Sequence, residues 1–447
     1  MQEVTRYFTP SVVGALVAIF LTVSPKPVED LLSVGEQWLS PAIRAALPQN
    51  LNTGVTAMIG FFLGFSFMHF WLWFRWQLLR MLFSYRGWMY NPKSVATKIW
   101  AVLVKFHLQQ NRGPYKTFSL QNVLPRLPVP SLEQTCHKYL LSVKPLLTEA
   151  EYAQTKQVVE QFKQNEGPKL QGYLKLRAWN KVNWLSEWWN DLAYLYQRSP
   201  IAINSNYYCL DSEALPTNNP IARAANMIHY GVLFHDLIHT ERLPVLLANG
   251  LVPVCMDGYR YMFNACRIPG LEKDTLHNFP ASNFVIVIRK GMFFKLDVYA
   301  ENKKGVLTPL TPWELQCQLE KIYEMSEEQD DGCGVAAFTA INRTQWAKHR
   351  QALIQASPVN KATLHEVERA LWHISLDCGV PKDISDQAKM LLCGDGVNRW
   401  FDKSLVMFAF ADGRSGALAE HATADATVNW RVCFVLFRIV RFRRRQN

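Results

Sequence analysis

Nine cysteines are scattered through 447 residues without one Cys-x-x-Cys pair. That spacing excludes the disulfide framework of a small secreted domain and a structural zinc site, and reads as reduced thiols in a cytosol-facing protein. His235 and His239 stand four apart in HDLIHTE, yet Asp236 fills the place where a zincin helix requires Glu, so no metal is assigned. No internal repeat is evident. Basic patches interleave with aromatics, but no recognised nucleic-acid module accompanies them, and no nucleic-acid partner is expected. Acidic residues are in deficit, 37 against 48 Lys and Arg, for a formal charge of +11. This suits an anionic partner, whether acidic phospholipid or a nucleotide-bearing substrate, without choosing between them. Aromatic residues make up 13% of the chain, with 15 Trp, which rules out a disordered or low-complexity chain, and the length accommodates more than one domain.

Two uncharged runs stand near the start. Tyr7 to Pro25, flanked by Arg6 and Lys26, is just long enough for a hydrocarbon core of about 30 Å, and Thr53 to Phe74 is a second candidate span, richer in Phe and Trp. A secretory signal peptide is the rival reading of the first run, but no small-residue cleavage site is clear. Residues 1–83 therefore read as a transmembrane helical hairpin. Basic residues after the second run, Arg75, Arg80, Arg86, Lys93, Lys98 and Lys105, mark the cytosolic side. Both termini are then cytosolic and Lys26 to Asn52 lies across the membrane. Gly60 and Gly64 form a GxxxG that would let another helix approach, a route to a homo-oligomer.

From Phe118 the pattern is that of a mixed α/β domain. Three prolines in LPRLPVP (Leu124 to Pro130) force an extended segment. Thr148 and Glu151 form a capping box before a helix with Val158, Val159 and Phe162 on one face, and Trp179, Trp184, Trp188 and Trp189 follow as core or membrane-proximal packing. Phe284 to Ile288 and Met292 to Tyr299 flank Arg289-Lys290-Gly291, a three-residue hairpin connection. The stretch that organises the chain is Arg399 to Asp425. Leu405 to Phe410 is an apolar strand, Asp412-Gly413 favours a tight turn, and Gly416 lightens the returning segment toward Glu420-His421. Asp425, four residues on, could orient the imidazole if the segment turns helical. The alternative is a partly buried histidine satisfied by backbone.

The same stretch resembles the signature of the choline/carnitine acyltransferases, in which RWFDKS leads through a Gly-rich turn to an EHSxADA-type segment. The resemblance gives His421 the role of catalytic base and Asp425 that of its acidic neighbour. Ala422 replaces the usual Ser and Thr427 the common Pro. Ser84 to Met89 and Ala96 to Trp100 resemble the outer-membrane carnitine palmitoyltransferase branch, and Ile203 to Leu210, Arg223 to Asn226 and Met262 to Gly270 follow the family in order. Residues 84–428 are thus expected to be a partial acyltransferase domain with the N-terminal half of the chloramphenicol-acetyltransferase-like fold. Asn429 to Asn447 is expected to be a divergent basic-apolar tail in which the resemblance has ended. What the resemblance implies is acyl transfer from long-chain acyl-CoA to carnitine for mitochondrial fatty acid import and oxidation. It needs no cofactor beyond these substrates, and the place is the mitochondrial outer membrane, multi-pass. A second expectation of a different class is a non-catalytic truncated isoform that serves as a membrane-bound interaction partner.

Overall fold

The computed structural model describes residues 10–23, 49–109, 115–211, 217–280, 282–329, 332, 334–429 and 431. Most of the loop 26–52, expected across the membrane, lies outside the described residues, as does the tail apart from Asn429 and Arg431. Two compact units divide the chain, one drawn from residues 1–125 with 242–256 and the other from 126–241 with 257–447.

The first unit contains helices α1 (Pro10–Val23), α2 (Gln49–Ser84) and α3 (Val95–Gln109). Among the described residues no helix is long and apolar enough to cross a membrane, which overturns the two-span hairpin. Its 14 residues make α1 about 21 Å long, short of a core of about 30 Å. Length is no obstacle for α2, but Gly60, Gly64, Ser66, His69, Trp71 and Trp73 dilute its apolar run, and it continues through Arg75 and Arg80. The multi-pass topology with two cytosolic termini falls with the hairpin. The small residues serve a contact inside the chain. A Cβ on Gly64 would come within 2.9 Å of the Val13 carbonyl, and one on Gly14 would strike Phe61, so α1 and α2 approach at their glycines. Further along, Leu79, Leu82 and Phe83 of α2 pack with Trp100 and Val104 of α3 and with Leu120 and Val123. The Trp100 indole donates to the Leu82 carbonyl, which satisfies the polar end of a buried ring.

In the second unit, α4 (Leu132–Val143), α5 (Glu149–Gln164) and α6 (Glu166–Asn180) pack as a helical layer. The Thr148–Glu151 capping box forms at the start of α5. Of the face expected on α5, Val159 is buried but Val158 is exposed. Trp179 and Trp189 are exposed as well, not part of a core.

The second unit's main sheet comprises β1 (Tyr207–Leu210), β2 (Phe284–Arg289), β3 (Met292–Asp297), β4 (His373–Leu376), β5 (Leu405–Ala409) and β6 (Ser415–Ala419), in the order β1-β6-β5-β4-β2-β3. The central strand β4 runs parallel to β2 and β5, and the remaining pairs are antiparallel. Every residue of β2, β4 and β5 is buried, as expected where helices cover both faces. One such helix is α7 (Pro220–His239), where a Cβ on Gly231 would meet the Trp372 ring at 2.8 Å. The β2–β3 connection is two residues rather than three. Lys290 and Gly291 both adopt positive φ while Arg289 pairs with Met292, the primed turn whose twist matches its strands.

Candidate active site

Leu405 to Phe410 does lead through a turn to a returning strand. The Phe410 amide donates to Arg414 O, and Gly413, at φ 82°, passes so close to Thr217 O that any Cβ would overlap it. Strand β6 then delivers Glu420 and His421. Beyond Ala419 the chain makes a turn, and helix resumes only at Ala426, so the expected helical register across His421 and Asp425 is replaced. The turn achieves the same approach: His421 Nε2 lies 3.0 Å from Asp425 Oδ1.

The other ring nitrogen, Nδ1, is 3.1 Å from Ser205 O. The imidazole sits between two aromatic rings, Tyr194 at 5.1 Å and Tyr207 edge-on at 5.0 Å. Tyr207 comes into place because β1 pairs with β6, setting Tyr207 opposite Ala419. Its hydroxyl donates to Ala424 O and accepts from the Asn429 amide, which ties down the turn just before Asp425. Burial raises the Tyr207 phenol well above its ordinary value, and burial likewise raises Tyr194, so both stay neutral at physiological pH. The His421 side chain is 32% exposed and Asp425 78%. Both ring nitrogens therefore face acceptors. A neutral imidazole has one N–H and satisfies only one of them, whereas the protonated ring satisfies both. With Nδ1–H donating to Ser205 O, Nε2 is the atom free to take a proton on the accessible side. Asp425 is mostly exposed, so its contact with the ring yields at small cost.

Beneath the histidine lies a set of buried charges. Glu420, fully buried, accepts from Arg267 Nη1 at 2.9 Å. Arg267 also donates from Nε to Asp274 and from Nη2 to Tyr194 O. Asp274 further receives Arg198 and Arg343. Burial opposes its charge, but Arg343 and Arg267 outweigh burial and hold the carboxyl below its ordinary range. Arg343 continues to Asp402, which also accepts from the Trp346 indole. Each side chain of the RWFDKS segment, Arg399 to Ser404, is sealed from solvent. Arg399 grips Asp377 bidentately, Lys403 donates to Glu368 O, and Ser404 to Met262 O. The segment holds the core ahead of β5.

A small apolar cleft of about 20 Å³ lined by Tyr207, Met407, Ala419 and Asn429 lies beside this site. A larger cavity of about 630 Å³, bordered by Lys290, Asp377, Lys389 and Arg399, includes neither His421 nor Asp425. The candidate zinc pair of α7 stacks ring on ring, and its Asp236 accepts from Tyr299. No group able to hold a metal occurs among the described residues. Ser205, Tyr194, Tyr207, Glu420 and Arg267 were not picked out from the sequence as site residues. Ser205, Tyr207 and Arg267 lie within the family-like blocks at 203–210 and 262–270, but Ser205 stands 216 residues from His421 and Arg267 153 from Glu420, and spacing says nothing across such distances.

The model of the choline/carnitine O-acyltransferase family matches residues 127–439. The chain belongs to this family. The match runs past Val428, where the resemblance was expected to stop. Among relatives of this chain, the muscle isoform of carnitine O-palmitoyltransferase 1 from Sus scrofa is 38% identical over 88% of the chain and half of the relative. The human liver isoform is 37% identical over 78% of the chain and 46% of the relative. Human peroxisomal carnitine O-octanoyltransferase is 34% identical over 70% and 53%. The chain spans about half the length of these curated relatives.

Proposed function

We propose that this chain catalyses acyl transfer from long-chain acyl-CoA to carnitine, with His421 as general base and Asp425 as the carboxylate that stabilises the charged ring. The observation that carries this reading is the two-acceptor environment of His421, with Nδ1 tied to Ser205 O and Nε2 turned to the accessible side against Asp425. In the reaction the carnitine hydroxyl gives its proton to Nε2 as its oxygen bonds to the thioester carbonyl carbon. The tetrahedral intermediate then breaks its C–S bond, and the Nε2 proton passes to the departing CoA sulfur. An imidazole is the side chain best suited both to take and to return a proton near neutral pH. Relatives named for palmitoyl transfer are 36–38% identical over 78–92% of the chain, whereas those named for octanoyl transfer are 34–36% identical over 70–71% of it, and the longer match supports the longer acyl class. The resemblance of residues 84–100 to the outer-membrane branch supports residence at mitochondria and a part in fatty acid import and oxidation, and cell fractionation tests the location.

The purified full chain, incubated with palmitoyl-CoA and carnitine, is expected to form palmitoylcarnitine faster than it forms octanoylcarnitine from octanoyl-CoA. His421→Ala is expected to slow the reaction by about 10²-fold or more. A variant as fast as the parent chain would remove His421 from the chemistry, and no carnitine-dependent product from the parent chain would overturn the reading.

A further inference from the structure

We propose that Arg267 is a positioning residue for His421, fixing from a fully buried site the two backbone segments that hold the imidazole. The proposal rests on the reading of His421 as the base. Arg267 never touches the ring. Its guanidinium forks instead, with Nη1 on Glu420, the residue immediately before His421, and Nη2 on the carbonyl of Tyr194, whose ring packs against the imidazole. Nε on Asp274 fixes the plane of the fork. Only a planar guanidinium reaches three acceptors in these directions at once; a lysine ammonium is a point charge on a flexible stem.

Three further observations support the assignment. Among the described residues Glu420 Oε2 has no hydrogen-bond partner although the side chain is fully buried, and its carboxylate pairs with Arg267. A buried carboxylate held this way moves when its counter-charge goes, because it must find water or neutralise, and His421 is covalently next to it. Tyr194 lies in a single π-helical turn, Asp191–Leu195, a rare conformation that occurs often at functional sites. Its carbonyl accepts both the Gln197 amide and Arg267 Nη2. The backbone of Arg267 is itself anchored, its amide donating to Asp402 O while Ser404 N bonds Ala265 O and Glu420 N reaches Ser404 O. The fork therefore stands on the same buried segment from which β5 departs, and errors in its placement pass directly to His421. Misplacement of a reacting group by about 1 Å lowers rates by about 10²-fold.

The test compares Arg267→Lys, which keeps the charge and loses the fork, with Glu420→Gln, which keeps an acceptor of the same shape and loses the charge. Two readouts are taken on full chain that remains folded by circular dichroism. The first is kcat and KM for carnitine. Both variants are expected to lose about tenfold or more in kcat, with KM changed less than about threefold, since the substrate does not touch either residue. The second needs no turnover: the rate at which diethyl pyrocarbonate modifies His421, read by mass spectrometry of the peptide. It is expected to change severalfold in both variants while the rate at His349, a histidine outside the site, stays the same. Unchanged modification and kcat in both folded variants would overturn the proposal and leave the His421 reading intact. A parent chain without acyl transfer would overturn that reading, while the modification rates would still decide the role of Arg267. If Arg267→Lys fails to fold, Glu420→Gln decides alone by the same two readouts.

Discussion

Two histidines on one sheet face opposite demands. His373 opens the central strand β4, is fully buried, and donates from Nε2 to Val367 O, while its Nδ1 has no partner among the described residues. Burial, with Lys403 beside it, lowers its pKa to about 3, so it is a neutral packing group. His421 follows β6 toward the sheet edge, is one-third exposed, and has an acceptor at each nitrogen. The same side chain is thus an inert donor where water is excluded, and keeps both nitrogens against acceptors with part of the ring accessible where one face stays open. In the interior, Lys403 adds to the contrast: burial lowers its pKa to about 8, while its ammonium donates to the Glu368 carbonyl.

The largest expected effect comes from removing the charges beneath His421. Asp274→Ala leaves Arg267 and Arg343 buried without their common carboxylate, and should lower stability by about 3 to 5 kcal/mol, read as the urea unfolding midpoint. A loss under about 1 kcal/mol would mean that the network is not what holds this end of the sheet. Next comes His421→Ala, which should remove about 10²-fold or more of carnitine-dependent transfer yet shift the unfolding midpoint little. His373→Ala should do the reverse to stability, and a variant pair that behaved alike would erase the distinction between the two sites.

The third expectation concerns pH. The folded pKa of His373 lies below its unfolded value, so between about 6.5 and 3 the unfolded chain binds a proton that the native chain does not. Stability therefore rises with pH across that window and is lost on acidification, by at most about 1.4 kcal/mol per unit from this group. His373→Gln can keep a donor toward Val367 O and does not titrate, so its denaturation midpoint should depend less steeply on pH there. An unchanged slope would place the dependence elsewhere. The smallest effect belongs to Asp425→Asn. Its carboxylate is mostly exposed, so stability should stay within about 1 kcal/mol, while kcat should fall severalfold through weaker stabilisation of the protonated ring. A change in stability larger than the change in kcat would make Asp425 structural.

Much of the route to His421 was legible in local pattern. An apolar run, a turn dipeptide with its glycine at positive φ and a light returning strand are short-range signals, and β5, Gly413 and β6 follow them. The capping box at Thr148 is equally local and equally present. Where a pattern had to be weighed against surroundings, it misled. Uncharged runs near the start suggested two spans, but a run of uncharged residues is not yet a helix of sufficient length and apolarity, and α1 and α2 meet at glycines instead. Val158 and the exposed tryptophans show the same limit, since periodicity marks a face without saying what covers it.

The amino-acid sequence by itself determined the family, through blocks kept in order, and the strand that carries His421. Only the tertiary structure decided what surrounds the ring. Ser205 O, the rings of Tyr194 and Tyr207, and the Arg267–Glu420 pair reach it from distant parts of the chain. The physical reason is that strand pairing and the burial of charge are settled by which segments become neighbours: β1 joins the sheet beside β6, and Glu420 tolerates burial because Arg267 arrives to meet it.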